Sequence, residues 1–118
     1  MIKIITVIAI VLSMNLAASQ KLKEACDKGK MQSCIELGIL YHTGDSVKKD
    51  IKKSKKLFQK ACQNRVARGC YYLGFVFLRS DHDVEQSTTK AVLAFAKGCD
   101  LGSERSCEWY HKLKDKGD

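Results

Sequence analysis

Two hydrophobic patterns divide this chain. From Ile4 to Leu16 nearly every residue is apolar, whereas beyond residue 20 apolar residues recur every three or four positions with charges between them. The second pattern is that of amphipathic helices. Cys34, Leu37 and Tyr41 are spaced for a helix over 32–42. The polar stretch from Thr43 to Lys49, which contains Gly44, predicts a turn. Asp50 is a good N-cap for a second helix, because its side chain can accept from an otherwise unpaired backbone N–H. Ile51, Ser54, Leu57, Phe58, Ala61 and Cys62 then share one face, with Lys49, Lys52, Lys53, Lys56 and Lys60 on the other. The same reading gives helices near 68–79 and 88–99, the latter capped by Ser87 or Thr88. Residues 20–28 read as the tail of an earlier second helix, and 104–115 as a closing first helix. The chain has no proline, which suits helices throughout.

These helices belong to a repeat. The cysteines are Cys26, Cys34, Cys62, Cys70, Cys99 and Cys107: eight apart within each pair, with steps of 36 and then 37 between pairs. Ala25-Cys26 recurs as Ala61-Cys62 and, more loosely, Gly98-Cys99. Ser33-Cys34 recurs as Gly69-Cys70 and Ser106-Cys107, and Leu37-Gly38 as Leu73-Gly74. Tyr41 is matched by Phe77, and Phe58 by Phe95. The extra residue of the second step falls between Arg79 and Lys90. Gly38 and Gly74 lie inside helices, where glycine costs up to about 1 kcal/mol relative to alanine. A cost that repeats implies a need that repeats, namely the close approach of a neighbouring helix. The expected fold is all-α, an α/α solenoid of helical hairpins that each bury their apolar face on the next. The units run over about 26–61, 62–98 and a truncated 99–118.

The run from Ala25 to Gly44, Ala-Cys-x-x-Gly-x-x-x-Ser-Cys-x-x-Leu-Gly-x-x-Tyr-x-x-Gly, resembles Sel1-like repeats, a relative of the tetratricopeptide repeat. The added cysteine pair is similar to the Helicobacter cysteine-rich protein family. The second copy departs at Arg65, where glycine is usual, and at Ser80, which replaces the loop glycine. The third has Trp109-Tyr110-His111 in place of the Leu-Gly step. The resemblance implies a penicillin-binding hydrolase of the β-lactamase type, acting on β-lactams or a peptidoglycan-related ligand. It supplies no catalytic motif that maps onto these residues.

The apolar segment has the layout of a secretory signal peptide over residues 1–19. Lys3 is the basic start, Ile4–Leu16 the apolar middle and Ala17-Ala18-Ser19 the small-residue exit. The run falls short of the roughly 20 residues of a membrane span, so no integral segment is expected once it is cleaved after Ala18 or Ser19. Charged Lys23 and Glu24 upstream of Cys26 do not suit a lipid-attachment site. The expected location is periplasmic or secreted. The whole chain carries a net charge of +8, and the leader removes one lysine from it.

In a small exported chain six cysteines point to disulfides, which offset a thin core. Fifteen pairings are possible. A helix end, a short turn around Gly29 or Gly102 and a new helix start favour three local bridges, Cys26–Cys34, Cys62–Cys70 and Cys99–Cys107. Zinc or redox chemistry does not suit the spacing, since no Cys-x-x-Cys occurs. Two Ser-x-x-Lys matches, Ser46-Val47-Lys48-Lys49 and Ser87-Thr88-Thr89-Lys90, have the spacing of penicillin-reactive serine enzymes, but Ser-Asp-Asn and Lys-Thr-Gly companions are absent. Capping and solvation explain both serines. His42, His82 and His111 lie in different units with no ligand spacing, so neither a metal nor a cofactor is expected. The lysine face reads as the solvated side of a helix, or as a surface for an acidic polymer or lipid headgroup. No nucleic-acid module is recognisable. Tyr71, Tyr72 and Trp109 are the candidates for a binding surface, Tyr72 and Trp109 being in-phase positions that can line the concave side of a solenoid; core packing is the competing reading. The resemblance favours the hydrolase as the leading reading. The residue chemistry favours the alternative, a non-enzymatic scaffold that binds a protein or peptide in its groove.

Overall fold

The computed structural model describes residues 2–79 and 87–116. Among the described residues six helices follow one another: α1 (Ile2–Asp27), α2 (Met31–Thr43), α3 (Ile51–Gln63), α4 (Ala67–Leu78), α5 (Thr88–Asp100) and α6 (Glu104–Lys116). No strand occurs among the described residues. Each helix packs on the next, with slight further contacts of α3 on α5 and α4 on α6. That is the nearest-neighbour organisation of a solenoid. α2 with α3, and α4 with α5, are the two full hairpins; α6 is the first half of a third.

The connection between units is one turn made three times. Gly29 donates its N–H to the Cys26 carbonyl and Lys30 to Ala25, Arg65 to Cys62 and Val66 to Ala61, Gly102 to Cys99 and Ser103 to Gly98, at 2.9–3.1 Å. This pair of bonds is a Schellman motif, which needs a left-handed residue just past the helix end. Gly29 (φ 95°), Arg65 (φ 65°) and Gly102 (φ 102°) supply it. The motif reverses the chain so tightly that the next helix starts beside the last turn of the previous one. It brings the cysteines of each pair to Cα separations of 4.6, 4.5 and 4.6 Å, and all three expected bridges are formed. Closing so small a loop stabilises by roughly 2–3 kcal/mol per bridge in the chain-entropy model.

The turns within hairpins repeat as well. Asp50 accepts from the Lys53 N–H and Ser87 from the Lys90 N–H, capping α3 and α5. The same two residues donate their own N–H groups back to α2 and α4, at the Tyr41 and Phe77 carbonyls (2.9 and 2.8 Å). Ser87, rather than Thr88, is therefore the cap.

The core lies along the seam between successive helices. Ile35, Phe58, Cys70, Val76 and Phe95 are fully buried in it. The two helical glycines explain themselves here. A Cβ on Gly38 would stand 2.7 Å from the Phe58 ring, and one on Gly74 would stand 2.5 Å from the Phe95 ring. Each hairpin closes by setting a phenylalanine of its second helix against the bare backbone of its first.

α1 joins the apolar leader and the expected helix tail at 20–28 into one continuous helix. Ile4, Ile5, Val7, Ile8 and Ile10 on it are exposed. No helix among the described residues is long and apolar enough to cross a membrane.

Candidate binding groove

The first helices of the hairpins, α2 and α4, leave a cleft of about 270 Å³ between them. Ile39, His42 and Thr43 line it from α2, and Tyr71, Tyr72, Phe75 and Arg79 from α4, with Phe58 of α3 at its base. Helical periodicity builds the α4 wall. Tyr72 and Phe75 are three residues apart, Tyr71 and Phe75 four, so all three rings fall on one side of the helix. The lining is apolar and aromatic with a few polar groups at its rim, the usual make-up of a site that holds part of a ligand. At the rim Arg79 Nη1 lies 3.5 Å from His42 Nε2, the guanidinium being the donor.

The rings continue past the cleft. Tyr72 stacks on Phe58 (centroids 5.3 Å apart, 21° between planes), and Tyr71 meets Phe75 edge-on at 4.9 Å. Phe75 meets Trp109 of α6 edge-on at 4.9 Å, and Trp109 stacks on Phe95 (5.9 Å, 18°). Tyr72 on Phe58 and Trp109 on Phe95 are the same contact made one unit apart. One face of each ring covers a core phenylalanine, and each side chain stays only half-buried. Arg68 sits 5.7 Å from the Tyr72 ring centroid and Lys112 4.6 Å from that of Trp109, so each exposed ring carries a cation.

The other candidates lie elsewhere. Ser46 is exposed in the turn between α2 and α3 at φ 65°, donating to the Asp45 carboxylate at 3.3 Å. Ser87 is occupied as a helix cap, and the Lys90 ammonium lies over the Phe77 ring instead of beside it. Neither serine is in the aromatic cleft. His42 is at the cleft rim and His111 is exposed on α6, in edge contact with Tyr110. Ser80 and His82 lie outside the described residues. Among the described residues no three His, Cys, Asp or Glu side chains cluster as a metal site would require. Lys49, Lys52, Lys53 and Lys56 form an exposed face as expected, but Lys60 departs from it. It is half-buried, and its ammonium donates to the Cys26 carbonyl at the end of α1 (3.2 Å), where a cation also meets the negative end of the helix dipole.

Ile39, Phe75 and Arg79 are groove residues that the pattern reading did not single out. A signal was present: Ile39 and Phe75 each follow the repeated glycine and are apolar off the core stripe.

The family model for the Sel1 repeat matches residues 32–65, 67–103 and 103–118, frames that coincide with α2–α3, α4–α5 and α6. The chain belongs to the Sel1-repeat family. Among solved structures this Sel1-repeat chain is similar to cysteine rich protein B of Helicobacter pylori, at 36% identity and a TM-score of 0.70, over 76% of this chain and 67% of that one. A Sel1 repeat protein from Oxalobacter formigenes shares the fold at 18% identity and a TM-score of 0.75, covering 84% of this chain and 40% of that one. A protective antigen of uropathogenic Escherichia coli strains shares it at 22% and 0.78, covering 85% and 21%. The curated relatives it matches include cytochrome c oxidase assembly factor 7 of Xenopus tropicalis and assembly factor 7A of Xenopus laevis. Each is 27% identical over 100 residues, which span 80% of this chain and 43% of either relative.

Proposed function

We propose that this protein is a non-enzymatic scaffold whose groove holds a segment of a partner polypeptide. The observation that carries the proposal is the ladder of half-buried rings, Tyr72, Tyr71, Phe75 and Trp109, running from the α2–α4 cleft onto α6. Rigid, half-wet aromatic rings with cations beside them are the side chains that dominate protein–protein binding energy. The name of the frog relatives, assembly factors, is in keeping with work done on other proteins. We also propose that residues 1–19 are removed on export, which places the three disulfides in an oxidising compartment where they persist.

The hydrolase reading rests on the resemblance alone, and among the described residues neither Ser46 nor Ser87 gains a partner that would activate it. Two measurements on the purified, oxidised protein separate the readings. Peptide-display selection should yield binders whose nuclear magnetic resonance shifts fall on Ile39, Tyr71, Tyr72 and Phe75. Turnover of a chromogenic cephalosporin should be absent. Cephalosporin turnover by the oxidised protein, with no peptide mapping to the groove, would return the hydrolase to first place.

A further inference from the structure

A second groove lies between the second helices α3 and α5. We propose that this groove, with Lys55, Lys90 and Lys97 around Phe77 and Leu93, binds an acidic segment of a partner protein that inserts one apolar side chain. Lys55, Gln59 and Gln63 form the α3 wall and Lys90, Leu93 and Lys97 the α5 wall, over a floor that includes Leu73 and Phe77, in a space of about 360 Å³. Lys55 and Lys90 come from opposite walls to the same ring, their ammonium groups 5.6 and 5.7 Å from the Phe77 centroid.

This convergence is more than a solvated lysine stripe. In the first hairpin the matching ring, Tyr41, carries one such cation, Lys53 at 5.3 Å. Lys90 repeats Lys53 one unit on; Lys55 is an addition made only here. Two ammonium groups held over one ring repel each other unless an anion joins them. Among the described residues no carboxylate pairs with Lys55, Lys90 or Lys97. Leu93 stands between Lys90 and Lys97 on the same helix face and is 65% exposed, the one large apolar side chain outside α1 to be so among the described residues. Cations around an apolar floor recognise carboxylates flanking an apolar anchor. The recess between two helices admits a peptide, whereas a flat lipid surface reaches only the rims. The site is separate from the aromatic groove and shares none of its lining residues.

The test is a resonance titration of the oxidised protein with a synthetic dodecapeptide of aspartate and glutamate around one central leucine. The shifts should saturate at Phe77, Leu93 and Lys97 and spare Tyr72 and Trp109. Lys55→Gln and Lys90→Gln should each weaken binding about two- to fivefold, the range of single partly exposed ion pairs. Replacing the peptide's leucine by serine should weaken it further. Raising salt from about 0.05 to about 0.5 M should weaken it too, because screening shortens the reach of each charge. Shifts spread equally over Lys49, Lys52, Lys53 and Lys56 would show bulk counterion attraction and overturn the proposal. So would indifference to the leucine, or sedimentation with anionic phospholipid vesicles that Lys55→Gln and Lys90→Gln leave unchanged. Circular dichroism of the glutamine variants, which remove no core group, checks that they are folded.

Discussion

Arg65 holds a backbone conformation that the two equivalent turns give to glycine. Gly29 and Gly102 meet nothing within 4 Å of an added Cβ, so the demand at this position is conformational and not steric. A left-handed conformation costs an ordinary residue about 1–2 kcal/mol, and glycine returns part of that through its greater freedom in the unfolded chain. Arg65→Gly should therefore stabilise by about 1 kcal/mol and raise the melting temperature by about 5 °C. A melting temperature that is unchanged or lower would mean the arginine side chain makes up for its backbone. At this scale the sequence is informative where a residue breaks the repeat: Arg65 is visible as a departure before any angle is known. It is silent on Lys60. Whether that ammonium reaches solvent or the Cys26 carbonyl, 34 residues away, depends on the angle at which α3 crosses the end of α1.

Helix-forming tendency and packing disagree over the glycines inside α2 and α4, and this makes them a sharp test of how the hairpins close. On propensity alone Gly74→Ala should stabilise by up to about 1 kcal/mol. The Phe95 ring, 2.5 Å from where that Cβ would go, reverses the sign. We expect Gly74→Ala to destabilise by about 1–3 kcal/mol, the range for overfilled cores. Gly74→Ala combined with Phe95→Leu should cost less than the two single changes added together, as expected for residues in contact. Urea denaturation of the four proteins supplies the cycle, and additive costs would contradict the packing account. Caps, turns and bridges were legible at this scale because each depends on residues close in sequence. Asp50 and Ser87 cap as their types dictate, and cysteines eight apart meet because a Schellman turn lies between them. The groove was legible only in part. Tyr72 follows from the repeat phase, as does Trp109 beyond the cleft, while Arg79 joins the groove through the packing of α4 beside α2, which spacing does not encode.

At the scale of the molecule, two faces of one short solenoid carry different chemistry: aromatic rings on the first helices, lysines around a phenylalanine on the second. Removal of the leader on export, as proposed, would place the bridges that join successive hairpins in an oxidising compartment. N-terminal sequencing of protein recovered from outside the cytoplasm should begin at Ser19 or Gln20, and a chain still starting at Met1 would contradict removal of the leader. The central claim is that the aromatic groove holds a partner segment, and its most direct measurement is calorimetric. A display-selected peptide is titrated into the oxidised wild type, into Tyr72→Ala and into Lys52→Ala, whose side chain is exposed on α3. Central aromatic anchors cost about 2 kcal/mol or more when truncated, so the account predicts at least about a thirtyfold loss of affinity for Tyr72→Ala and wild-type affinity for Lys52→Ala. Equal affinity for all three proteins would contradict it.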